Sequence, residues 1–189
     1  MSRPETSFDF RKGVAEAYRR IESDIRRTPL ERSEPLSREF GADVHVKWEC
    51  DQITGSFKFR GALNKLRSLG PEERARGVVS ASTGNHGLAI SHAAKLEGIG
   101  LKLFLPETVA EVKRNRIQAL GVDVEIAGAS CDRAEAVARE FAARHGRVFV
   151  SPYNDWDIVF GAGTTGLELA AGLARFDDVL VPICGGGLI

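Results

Sequence analysis

Three short segments carry the residue types from which chemistry could be built. In "ITGSFKFRGA" (53–62), Lys58 stands between Phe57 and Phe59, two residues after Ser56, where a helical pattern starts. Read blandly, it is an exposed lysine beside aromatic rings. Read functionally, the site partly desolvates it, which disfavours the ammonium and supplies the free amine that a Schiff base needs. The positive end of the helix acts in the same direction.

The second segment, "SASTGNHG" (80–87), runs from a strand pattern into Ser82, Thr83, Gly84, Asn85 and His86 before a helix. A plain N-cap accounts for one such residue. Six small or polar residues in a row also make an anion site, with backbone N–H groups exposed at a helix N-terminus. The third segment is "VLVPICGGGLI", an apolar run driven into Gly185, Gly186 and Gly187. It reads either as a linker or as a turn whose bare backbone lets a phosphate approach closely.

The elements that must position these segments follow from periodicity. Val14, Tyr18, Ile21 and Ile25 recur at helical spacing, which predicts an N-terminal helix running to about Pro29. "DVHVKWE" (43–49) alternates as a strand. The helix after it places Phe59, Ala62, Leu66 and Leu69 on one face and stops at Gly70-Pro71. Strands are then expected at 77–82, 101–106, 122–127 and 147–152, with helices over 85–97, from Glu111 to Gly121, and from about Asp132. This alternation means a parallel sheet of right-handed crossover units. A helix over 155–173 and a strand "DVLVPIC" are expected to return to the sheet begun by 43–49. The expected fold class is α/β, with open, twisted parallel sheets and helices on both faces. Residues 72–152 form a small domain, inserted in a larger, truncated domain made of 1–71 and 153–189.

Bulk properties exclude other classes. The 189 residues are 43% hydrophobic and 28% charged, with 26 Lys and Arg against 26 Asp and Glu, so no electrostatic footprint for nucleic acid or an acidic membrane is present. Arg19–Arg20 and Arg26–Arg27 read as a solvated helix face. Cys50, Cys131 and Cys184 share no metal-ligand spacing and cannot all pair, which fits a reducing compartment. Without an apolar leader or a run of transmembrane length, the expectation is a cytoplasmic protein that binds neither membrane nor nucleic acid and holds no metal. No G-x-G-x-x-G follows the first strand of either sheet, so a nicotinamide-binding domain is a poor fit.

Taken together, the segments resemble the pyridoxal-phosphate enzymes of the tryptophan-synthase-β fold group (fold type II), and most closely the threonine/serine dehydratases and serine racemases. "TGSFKFRGALNKL" is similar to their cofactor-lysine motif, "SASTGNHGLAI" to their substrate-carboxylate loop, and "SPYNDWDIVFGAGTTGLEL" with "VPICGGGLI" to the approach and phosphate loop. The similarity runs from about Thr28 to the last residue.

The resemblance implies that Lys58 bonds pyridoxal 5'-phosphate covalently and then serves as the base at the α-carbon. Phe57 packs near the pyridine ring, and Asn85 hydrogen-bonds its phenolic oxygen. Ser82, Thr83, Asn85 and His86 hold the substrate carboxylate. Gly185, Gly186, Gly187 and Leu188 cradle the phosphate. The implied reaction removes water and then ammonia from L-threonine or L-serine, a small amino-acid substrate, and a homo-oligomer (dimer) is expected of the full-length protein. The alternatives are a lyase for 3-hydroxyaspartate, a serine racemase, or a truncated and inert relative.

Three departures stand out. Cys184 replaces the first glycine of the phosphate loop, and Ala162 stands where relatives carry glutamine. Thr83 takes the place of the serine that serves racemases as acid/base on the opposite face. Relatives also continue past Ile189, so the chain reads as an N-terminal portion.

Overall fold

The structure is a computed structural model and describes residues 9–82, 84–183 and 185–189. Helix α1 (Phe10–Ile21) opens with the Asp9 carboxylate accepting from the Lys12 N–H at 3.0 Å. It ends several residues before Pro29. A 3-10 turn over Glu22–Asp24 follows, and Ile25 is already extended, so the proline does not terminate the helix. Arg20 does not lie on a purely solvated face: its guanidinium donates to Asn64 Oδ1 at 2.6 Å.

Strand β1 (Leu30–Arg32), helix α2 (Glu34–Phe40) and strand β2 (His45–Lys47) come next, with β1 and β2 paired antiparallel, Leu30 opposite Lys47. The expected partner of 43–49 was the segment "DVLVPIC", and this is corrected. Residues 178–183 form no strand, and Leu180 is 97% exposed. A strand exists only where a neighbour takes up its backbone N–H and C=O groups, and none of the described residues does so for this segment.

Helix α3 (Lys58–Ser68) buries Phe59, Ala62, Leu66 and the following Leu69, the face expected from spacing. Pro71 does more than stop it. With Pro71 at its first position and Glu72 and Glu73 in its first turn, a short helix α4 (Pro71–Arg76) forms, and the Gly70 N–H donates to Glu73 Oε2 at 2.9 Å.

The remaining elements are β3 (Val78–Ala81), α5 (Asn85–Glu97), β4 (Leu101–Leu105), α6 (Glu111–Gln118), β5 (Asp123–Ile126), α7 (Cys131–Arg144), β6 (Val148–Phe149) and α8 (Trp156–Gly172). The sheet is parallel in the order β5-β4-β3-β6. Its two faces follow the period of two. Val78, Leu101, Leu103 and Leu105 pack into the cluster built with α3 and α5, while Val79, Ala81 and Phe104 pack against Ala138 and Ala142 of α7.

Helix α3 is wedged between α5 and α8. At the α3–α8 crossing the backbones touch: a Cβ on Gly161 would lie 2.5 Å from the Arg60 carbonyl oxygen, and one on Gly61 would lie 2.6 Å from that of Ile158. Beside this crossing sits a fully buried guanidinium. Arg60 donates to Glu49 at 2.9 and 2.8 Å and to Glu168 at 2.7 and 3.0 Å, and Lys47 Nζ donates to Glu168 at 2.6 Å. Burial pushes the Glu168 carboxyl up, but the hydrogen bonds from Arg60 and Lys47 outweigh it and hold the group below the usual range.

Two outcomes are expected. Gly161→Ala forces α3 and α8 apart and lowers unfolding free energy by about 2 kcal/mol, within the range for overpacked cores, measured by denaturant titration. Glu168→Gln strips half the countercharge from a buried cation and costs roughly 3 kcal/mol. A thermal scan of that variant checks it, and a midpoint equal to wild type would refute the role assigned to the cluster.

Candidate active site

Ligands of open parallel sheets bind beyond the carboxyl ends of the strands, and a cavity of about 490 Å³ lies there. It is lined by Ser82 after β3, Pro106 after β4, the first turn of α7 after β5, and Pro152 and Tyr153 after β6. Phe57, Lys58, Asn85, His86, Gly185, Gly186, Gly187 and Leu188 complete the wall together with Pro182. Every described residue among the expected site residues therefore faces one space. Thr83 and Cys184 lie outside the described residues.

Three helices begin at this cavity. Lys58 is the first residue of α3, Asn85 of α5 and Cys131 of α7. Their positive dipole ends favour anions, although the first turns of α3 and α7 already spend N–H groups on the Ser56, Phe57 and Ser130 oxygens. Lys58 is half-buried, and its Nζ lies 5.1 Å from the Phe57 ring centroid and donates to the Pro152 carbonyl oxygen at 2.7 Å. Lys58 is therefore oriented by a carbonyl from a distant loop as well as by its aromatic neighbours.

The loop after β3 is held by its own polar groups. Ser82 Oγ accepts from the Gly84 N–H at 3.2 Å, and Asn85 is exposed. His86 is buried, and its neighbours fix its tautomer. Ser80 Oγ donates to the Val150 carbonyl at 2.7 Å, so at 3.2 Å it accepts from His86 Nε2–H. Nδ1 then carries a lone pair, and it has no hydrogen-bond partner. Burial, and secondarily the positive charge of Lys58, push the imidazole down to about 3. The ring is neutral. Its Nδ1 is buried and its Nε2–H is taken by Ser80, so the ring offers no donor to an anion at this position.

The glycine turn packs on Tyr153. A Cβ at Gly185 would sit 2.5 Å from Tyr153 Cδ1, one at Gly187 would sit 3.1 Å from Tyr153 Cα, and Gly186 has φ +81°. Only bare backbone fits between Tyr153 and the cavity. This is what a phosphate needs, because side chains there would screen the amides.

The sequence reading singled out none of Ser80, Pro106, Pro152, Tyr153, Pro182 or the α7 turn as site residues, although Ser80, Pro152, Tyr153 and Pro182 lie inside the quoted motifs. Pro106 and Pro152 close predicted strands and α7 follows one, so their place on the carboxyl edge had a signal.

The depressed His86 value sets a pH dependence with a definite sign. The unfolded chain takes up this proton near pH 6.5, whereas the folded protein refuses it down to about pH 3. Stability is thus intact above pH 6.5 and falls as pH drops toward 3, by up to about 1.4 kcal/mol per pH unit from this residue. Comparing unfolding free energies of wild type and His86→Gln at pH 7 and pH 5 tests it, and the wild type is expected to lose more.

The geometry can be set against known proteins. The family model described as pyridoxal-phosphate dependent enzyme matches residues 21–189. The chain is 40% identical over 177 residues to the catabolic L-threonine dehydratase of Staphylococcus aureus, covering 93% of this chain and 51% of the relative. It is also 40% identical over 176 residues to serine racemase of Arabidopsis thaliana, covering 93% and 53%. The solved structure of the processed form of threonine deaminase isoform 2 from Solanum lycopersicum matches with a TM-score of 0.90 at 32% identity, covering 96% of this chain and 50% of that one. The chain spans about half the length of the curated relatives it matches. With a lysine, a helix-start loop and a glycine turn around one cavity, the chain belongs to the pyridoxal-phosphate dependent enzymes.

Proposed function

We propose that the protein is an ammonia-lyase of small β-hydroxy amino acids, turning L-threonine or L-serine into a 2-oxo acid and ammonia. The observation that carries this reading is the placement of the Lys58 amine, the Ser82–His86 loop and the glycine turn on one cavity. The residues present fit pyridoxal phosphate: the turn has no room for a Cβ at Gly185, and an amine stands in the same space. Gly185, Gly186, Gly187 and Leu188 would hold its phosphate, Phe57 and Asn85 its ring, and Lys58 its carbonyl carbon. The chemistry supplied by the bound cofactor is electron withdrawal from the substrate's α-carbon.

The chain's own residues do the rest. The backbone at Ser82, Thr83, Asn85 and His86 holds the substrate carboxylate at the start of α5. Lys58 Nζ, aimed by the Pro152 carbonyl, takes the α-proton. The Cβ–O bond breaks and the hydroxyl departs with a proton as water. One water is then consumed as the C–N bond is hydrolysed, so L-threonine yields 2-oxobutanoate and ammonia. The proposal also divides the chain into a small domain, 72–152, which carries the four-stranded sheet, and a larger one from 1–71 and 153–189.

A second reading is racemisation, favoured by the equal identity to the plant serine racemase. It needs an acid/base hydroxyl opposite Lys58, and the residue expected there is Thr83. Among the described residues no helix is long and apolar enough to cross a membrane, and no group of three or more His, Cys, Asp or Glu is placed to hold a metal ion.

The protein carrying this chain, supplied with pyridoxal phosphate, is expected to release 2-oxobutanoate from L-threonine and to show a visible absorbance band from lysine-bound cofactor. Lys58→Ala is expected to lose the band and at least about 10³-fold in turnover, in line with removal of a covalent and acid–base group. D-serine formed from L-serine without 2-oxo acid would replace the lyase reading with the racemase one.

A further inference from the structure

One wall of the cavity is the first turn of α7, which contributes Cys131, Asp132, Ala134 and Glu135. We infer that this wall sets the charge of the substrate side chain: Asp132 and Glu135 exclude amino acids that carry a second carboxylate. The inference rests on the reading that the cavity binds amino acids, and it narrows which ones.

The charge inventory supports it. Among the described lining residues, Lys58 is the single cationic side chain and Asp132 and Glu135 are the two anionic ones. Lys58 works at the α-carbon and is already turned to the Pro152 carbonyl. Glu135 is bonded to Arg139, at 2.9 Å from Nε and 2.7 Å from Nη2, and that guanidinium also stacks 4.1 Å over the Phe149 ring, so it is held off the cavity lining. Asp132 has no ion pair among the described residues. His86 adds no donor to the wall, since its Nε2–H is taken by Ser80 Oγ and its Nδ1 is buried.

Helix starts do not rescue a further anion. The start of α5 is claimed by the α-carboxylate, and the glycine turn by the phosphate. At the start of α7, Ser130 Oγ accepts from the Arg133 N–H at 3.2 Å, and the Asp132 carboxylate in the first turn offsets the positive helix end. A third carboxylate therefore meets like charge at Asp132 and Glu135, the latter offset in part by Arg139, while the one cationic side chain among the described lining residues is turned to Pro152. A neutral hydroxyl or methyl meets no such barrier.

The test compares isosteres that differ in one charge. Calorimetric titration of the cofactor-loaded protein with L-asparagine and L-aspartate at pH 7.5 is expected to show aspartate binding at least tenfold more weakly, about 1.4 kcal/mol. Turnover should follow, with L-threonine preferred to 3-hydroxyaspartate by at least as much. In Asp132→Asn/Glu135→Gln the asparagine-to-aspartate ratio is expected to fall below about threefold. Asp132→Asn alone, at an exposed position, should bring about half of the change if the double variant does not fold. Equal affinities in the wild type, or a ratio unmoved by the variants, overturn the inference. If L-threonine is turned over while the ratio is one, only this inference falls. If no β-hydroxy amino acid is bound or turned over, the lyase reading falls and takes the inference with it.

Discussion

A buried guanidinium holds the cavity end of α3 in place. Arg60 is enclosed by Glu49, from the turn after β2, and by Glu168 on α8, and Lys47 completes the cluster from β2 itself. Such a cluster is a weak source of net stability, because desolvating the charges offsets much of their attraction. Its strength is directional. Bidentate geometry to two carboxylates permits one orientation of the first turn of α3, and Lys58 lies two residues before Arg60 on that turn. The Gly61–Gly161 contact fixes the remaining freedom, since backbone atoms at van der Waals distance cannot slide without a clash.

From that fixed helix the site assembles by convergence. Elements remote in sequence deliver their ends to one space: α3 from residue 58, α5 from 85, α7 from 131 and the 151–153 loop after β6. A parallel sheet makes this arrangement natural, because all its strands point the same way and every loop at their carboxyl ends opens on the same edge. The electrostatics then follow from helix direction and burial. Helix starts favour anions, the buried imidazole stays neutral, and the α7 turn adds carboxylates to the cavity wall.

Much of this was legible in the residues. The apolar face of α3, the four strands of the parallel sheet and the helices between them follow from period and turn residues, because these elements are decided within a few residues. So were Lys58, the Ser82–His86 run and the glycine turn as segments that depart from what a plain strand, cap or linker requires, and their described residues line one cavity. Where local pattern misled, tertiary pairing was the cause. Residues 178–183 read as an apolar strand but find no ladder among the described residues, and β2 pairs with β1, three residues that no periodicity marks. Pro29 seemed to end α1, yet the helix closes at Ile21 with a 3-10 turn.

By itself, then, the sequence determined the α/β class, the family resemblance and the candidate lysine, because hydrophobic period and residue type are local properties. Only the tertiary structure decided that Pro152 holds Lys58, that Ser80 fixes the His86 tautomer, that Tyr153 packs on the glycines, and that Asp132 and Glu135 share their cavity. Each of these joins groups that are remote in the chain or turned toward one another only by the fold. Hydrogen bonds, packing distances and charge repulsion depend on separation in space, which no spacing along the chain records.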